Sequence, residues 1–170
     1  MKLRPVKCEL PYEIRECGQL EFTFMLDFAS YRDLQRQRAV ITRMPLLTTG
    51  HGFEEWYLEN LAPSWQKKAF QLLDEYQDMV QSVDDKYIRQ YYIPMGYRTP
   101  IRTTGDLRAL TYLVELRTGK TVHPTLRIRS IEMGKLLGDR FSEYGLKLYL
   151  DTSPDDFDIR RGLHDIVEKN

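Results

Sequence analysis

Alternation of apolar and polar residues first appears in LEFTFMLDF, Leu20 to Phe28. Phe22, Phe24 and Leu26 fall on one face, and Glu21, Thr23 and Asp27 on the other. A period of two predicts a half-buried β-strand. The period then changes. SYRDLQRQRAV reads as a helix with Ser30 as its N-cap, which places Arg36 and Arg38 near the C-terminal end, where cations are favoured. After a loop with Pro45 and Gly50, helical spacing is clearest from Ser64 to Val83. Trp65, Ala69, Leu72, Leu73, Tyr76, Met79, Val80 and Val83 share one face there. YYIPMGYRTP is a strand or extended loop, because Pro94 and Pro100 cannot sit inside a helix. GDLRALTYLVELRTG predicts a helix with Leu107, Leu110 and Val114 inward, Arg117 in the last turn and Gly119 past the end. A further helix runs from Pro124 to about Tyr144, and KLYL reads as a short strand.

Composition narrows the class of protein. The 170 residues read as one domain, 1–170, long enough for a sizeable core; 42% apolar and 29% charged residues are globular values. Neither an internal repeat nor a linker interrupts the chain. Formal net charge is zero, so whole-molecule attraction to nucleic acid or to a membrane surface is not implied. No apolar run reaches spanning length, and MKLRPVKCEL lacks the apolar core of a signal peptide. A soluble, cytoplasmic protein is expected, with Cys8 and Cys17 as free thiols.

The zero balance hides an asymmetry. From Lys86 to Arg129 there are nine basic residues against two acids, Asp106 and Glu115, while an acidic stretch opens at Asp151. Arginine outnumbers lysine 16 to 9, as expected where planar anions are held bidentately. A solvated face and helix-end capping account for such arginines equally well on counting alone.

Several chemistries drop out. TGKT, from Thr118, resembles the end of a P-loop, but Val114 occupies the position of the leading glycine. No Gly-x-Gly-x-x-Gly or Gly-x-Ser-x-Gly occurs, and His51, His123 and His164 are too scattered for a local metal signature. No metal site is expected.

One ordered series remains. FTF is followed after about ten residues by RQR, Arg36 to Arg38, and then by YYIPMGYRTPIRTTGDLRALTYLVELR and HPTLRI. This resembles the flavin-dependent thymidylate synthases, with their Arg-His-Arg, seven residues and Ser, then a Leu-Pro pair running to Asn-x-Arg-x-Leu and Phe-Leu-x-Leu-Arg. It covers roughly 20–150. The resemblance implies an α/β domain of the α+β type, with helices packed on a largely antiparallel sheet. It implies FAD-dependent methylation of dUMP, with NADPH and methylenetetrahydrofolate as co-substrates, in which the flavin carries the organic chemistry. By position, Arg117 would hold the uracil ring and be the catalytic residue, favouring charge that develops there. Arg36, Arg117 and Arg89 would bind substrate, and Arg36, Gln37, Arg38, Arg108 and His123 would meet the flavin. Family members are homotetramers, so self-association, or pairing with a second related copy, is also implied.

The departures qualify this expectation. Gln37 replaces the motif histidine, Leu46 the serine, Met44 a glutamate and Thr48 an arginine. Asp33, Tyr112, Gln90 and Arg127 replace further motif residues. Two classes stay open at this point: an enzyme of altered activity, and a non-catalytic relative that binds nucleotide or flavin or completes an oligomer.

Overall fold

A computed structural model describes residues 10–153. Strand β1 (Gln19–Asp27) carries the predicted alternation, with Leu20, Phe22, Phe24 and Leu26 turned toward the interior. It pairs antiparallel with β3 (Arg98–Asp106), which also pairs antiparallel with β2 (Ile41–Arg43), giving the order β1-β3-β2. The register sets Leu26 against Thr99, Phe24 against Ile101 and Phe22 against Thr103. The described chain is therefore α+β, with helices packed on a small antiparallel sheet, as expected.

Pro100 lies inside the central strand, and its neighbours explain why it is tolerated. Arg98 donates its N–H to Gly52 O, on the side away from β1. Pro100, two residues on, would aim its missing N–H the same way, beyond the reach of β2, which pairs only with residues 102–104. Upstream, the segment is more helical than predicted: α4 (Lys86–Arg89) runs into a 3-10 turn at Gln90–Tyr92.

Helix α1 (Phe28–Gln35) begins earlier than predicted. Asp27, not Ser30, is its N-cap, and the Asp27 carboxylate accepts from Ser30 N–H at 2.9 Å. Asp27 is fully buried rather than on the polar face of the strand. Arg36 is the C-cap, as its position near the helix end suggested.

Helices α5 (Leu107–Arg117) and α6 (Pro124–Phe141) cover the inner face of the sheet. Asp106 caps α5 through the Ala109 N–H, and Pro124 opens α6 at a position that needs no N–H donor. Leu110, Leu113, Val114 and Leu126 are wholly buried, each contributing roughly 1.5–3 kcal/mol by removal from water. Phe22 and Phe24 pack into this cluster, so β1 meets α5 and α6 rather than the long helix after Ser64. KLYL forms no strand: residues 146–150 run back over the helices, and Leu150 fills the notch left by Gly134, where an added Cβ would sit 2.6 Å from Leu150 Cδ1.

The long helix, α3 (Pro63–Gln81), follows the short α2 (Glu55–Glu59). It exists where the periodicity placed it, but its apolar face is only partly covered. Leu73, Tyr76 and Val80 join a second cluster with Leu47, Ile93 and Tyr97, while Trp65, Leu72 and Met79 are exposed. Cys17, at the end of a 3-10 turn (Tyr12–Cys17), is an exposed free thiol; Cys8 and the acidic stretch after Ser153 lie outside the described residues.

Candidate functional site

A cleft of about 550 Å³ opens where α1, the end of α5 and the start of α6 meet. Arg32, Asp33 and Arg36 line it from α1 and its cap, Arg117 from the last turn of α5, and His123 from the N-cap of α6. Arg32 and Arg36 share a helix face because they are four residues apart. Arg36 and Arg117 both offset the carbonyl ends of their helices, and α6 turns its positive end toward the same space. Among the described residues, three guanidinium groups thus face a single carboxylate.

Arg117 holds the two helix ends together by donating from Nη2 to the Asp33 carbonyl oxygen. Its Nε is buried and has no hydrogen-bond partner among the described residues. Burial pulls the guanidinium below the usual arginine range, with Asp33 opposing and Arg36 reinforcing the shift. A buried donor left unpaired costs about 1–3 kcal/mol, which an acceptor entering the cleft would offset. Arg36 pairs with Asp33 Oδ1 at 3.2 Å on a mostly exposed side chain, so that ion pair contributes little to stability.

Behind the cleft lies a polar network centred on Asp27. Thr125 Oγ1 donates to Asp27 Oδ1 at 2.6 Å, and Tyr57 OH donates to Oδ2 at 3.2 Å. Ser30 Oγ lies 2.6 Å and His123 Nδ1 2.9 Å from Thr125 Oγ1. The Tyr57 hydroxyl is pushed far above its ordinary range, first by burial and then by Asp27, so it remains a donor. Trp56 meets the His123 ring edge-on at 4.7 Å, and Tyr57 stacks on it at 5.3 Å.

Sequence reasoning missed this network. Asp27 is itself a preferred N-cap type three residues ahead of Ser30, which is a local signal. Thr125 and Tyr57 carry none, because they meet Asp27 across 98 and 30 residues.

The other expected site residues scatter. Arg36, Arg117 and His123 come together, but Arg38 lies in the turn after α1 and lines no part of the cleft. Gln37, Arg108 and Tyr112 line a separate cavity of about 220 Å³. Arg89 lines another, of about 390 Å³, with Thr48 and Thr49, and donates twice to the Val83 carbonyl, at 2.9 and 2.6 Å. Gln90 grips both the N–H and the carbonyl of Leu47. Leu46 is exposed, and Met44 packs against both apolar clusters.

Much of the arginine surplus is spent on the chain's own carbonyls. Arg98 donates to His51, Arg108 to Leu10, Arg127 to Thr118 and Arg129 to Met25. Each uses the guanidinium fork as a backbone clamp.

Among curated proteins similar to the chain is a UPF0159 protein of Chlamydia pneumoniae. It is 30% identical over 115 residues, covering 66% of this chain and 21% of that protein. A UPF0159 protein of Thermoplasma acidophilum is 29% identical over 136 residues, 78% of this chain and 26% of the relative. One from Chlamydia muridarum is 29% identical over 122 residues, 71% and 23% respectively. The chain therefore spans about a fifth to a quarter of the length of the curated relatives it matches. No family model matches it.

These findings overturn the resemblance drawn from the arginine series. The relatives are named UPF0159 proteins, and nothing in those names indicates thymidylate synthesis, a flavoprotein or a lapsed form of either. Arginine at matching spacing was the misleading signal, because helix ends and exposed carbonyls select the same residue. Arg89 and Arg108 illustrate it: both bond backbone carbonyls of their own chain.

Proposed function

We propose that the cleft binds a small molecule bearing an oxyanion, a phosphorylated metabolite being the class that best matches its donors. The observation that carries this reading is Arg117, a half-buried cation whose Nε has no partner among the described residues. Arg32 and Arg36 add planar donor forks suited to phosphate or carboxylate oxygens. The positive end of α6 acts in the same direction.

Titration calorimetry with inorganic phosphate, pyrophosphate and FAD as probes tests the reading, with Trp56 fluorescence as a second readout beside His123. FAD is included as a diphosphate that presents the same chemistry. Arg117→Ala is expected to weaken binding by about 1.5–3 kcal/mol, the scale of a charge-assisted hydrogen bond. That is roughly a 10- to 150-fold loss of affinity. Unchanged affinity in Arg117→Ala, or no binding of any probe, would show that the cleft is not an anion site.

A further inference from the structure

Residues 146–153 form a strap that ends against Thr118, the residue after Arg117. It lies in no strand or helix, and its amides reach for side chains. Tyr149 donates its N–H to Glu115 Oε1 at 2.9 Å, Asp151 to Thr118 Oγ1 at 3.1 Å and Ser153 to Asp151 Oδ1 at 3.1 Å. Leu146, Leu148 and Leu150 pack against the α5–α6 core, with Leu150 seated in the Gly134 notch. A segment held this way opens locally at less cost than a strand or helix of the core.

Arg127 joins the strap to the cleft. It is 3% exposed, in the first turn of α6 beyond His123, and its guanidinium reaches two ways. Nε donates to the Thr118 carbonyl at 2.8 Å, while Nη2 donates to the Asp151 carbonyl at 3.1 Å and the Ser153 carbonyl at 2.8 Å. Thr118, wholly buried, is the C-cap of α5. Its hydroxyl donates to the Glu115 carbonyl and accepts from Asp151, so these bonds fix the backbone that carries Arg117. A buried cation is tolerated when its donors are met. When the strap leaves, Asp151 and Ser153 withdraw their acceptors from Arg127, and Thr118 loses the Asp151 N–H.

Resting on the anion-site reading above, we propose that Arg127 is a positioning residue for the cleft, effective while the strap is docked, so that strap docking and anion binding reinforce each other. Arg127 lines no part of the cleft. It acts through Thr118 on Arg117 and, through its own helix turn, on His123, whose carbonyl accepts the Arg127 N–H. With the strap in place, Arg117 meets an entering oxyanion already oriented. With the strap away, part of the binding free energy goes into ordering the end of α5. The strap is therefore a handle: a partner that takes up residues 146–153 weakens the cleft without entering it. By linkage, the same coupling acts from the cleft on the strap.

Hydrogen exchange of the full chain, with and without saturating pyrophosphate, tests the coupling. Pyrophosphate is expected to slow the Tyr149 and Asp151 amides about fivefold or more beyond any slowing of the Val80 amide in α3. Gly134→Leu, which fills the notch that seats Leu150, is expected to weaken pyrophosphate binding by about the same factor in calorimetry. Gly134 lines no part of the cleft, so that loss would have to travel through the strap. Thr118→Val, which removes the acceptor for Asp151, should weaken binding likewise, and Thr118→Ser should restore it. A clamp that serves stability alone would lower the urea midpoint of these variants and leave the affinity of the folded protein unchanged. That result would overturn the proposal while leaving the anion site standing. So would equal slowing of the strap and α3 amides in the wild-type protein, an outcome that needs no variant. Failure of pyrophosphate to bind the wild-type protein would sink the anion site itself, and this proposal with it.

Discussion

Helices α3 and α5 both repeat apolar residues at helical spacing, yet α5 buries Leu110, Leu113 and Val114 completely while α3 buries only Val80. Trp65, Leu72 and Met79 of α3, each seven residues from the next, are 60%, 62% and 48% exposed. The difference lies in what surrounds them. Between the sheet and α6, α5 has apolar neighbours on both sides. By contrast, α3 lies at the margin, against α2 and a small cluster around Tyr97. Periodicity belongs to a segment and shows which side of a helix is apolar; burial belongs to the fold and depends on a partner elsewhere in the chain.

The contrast can be measured. Leu113→Ala in α5 is expected to cost about 2–5 kcal/mol, read as a lower urea midpoint at unchanged slope. A loss below ~1 kcal/mol would mean that the α5 core is looser than its burial indicates. Asp27→Ala should come next, at about 1–3 kcal/mol, because it removes the α1 cap and strands the Thr125 and Tyr57 hydroxyls. Denaturation monitored by circular dichroism would measure that cost, and a near-neutral result would show that the network contributes nothing to stability. Smallest of all, Leu72→Ala on the exposed stripe of α3 should stay within about 0.5 kcal/mol. A loss comparable to that of Leu113→Ala would erase the comparison, since it would require Leu72 to be covered in solution.

Local signals made the elements legible. The β1 alternation, the α3 and α5 periods, Pro124 at the head of α6 and the α+β class were all readable from residues near one another in the chain. What depended on distant partners was not. The Asp27 network joins β1, α2 and α6, and the exposure of Trp65 depends on no described residue lying opposite it. The candidate site was legible in part, since Arg36, Arg117 and His123 do share a cleft. Arg38, Arg89 and Arg108 were grouped with them because arginine serves a carbonyl as readily as an anion, and spacing does not distinguish the two.

The strand order has a consequence for how the protein is made. β1 ends at Asp27, but its only strand partner among the described residues, β3, begins at Arg98, and β2 pairs with that same strand. At roughly 5–20 residues per second, a translating ribosome needs on the order of ten seconds to supply β3 after β1 has emerged. Until then Phe22 and Phe24 have neither the neighbouring strand nor α5 and α6 to cover them. The α2–α3 region, made in that interval, can form its helices early, but the sheet must wait for a long loop to close. Because the entropy of closing a loop rises only slowly with its length, insertions between β2 and α4 would burden this step little. Premature termination before Arg98 would burden it far more, leaving an aromatic strand face with nothing to pair with.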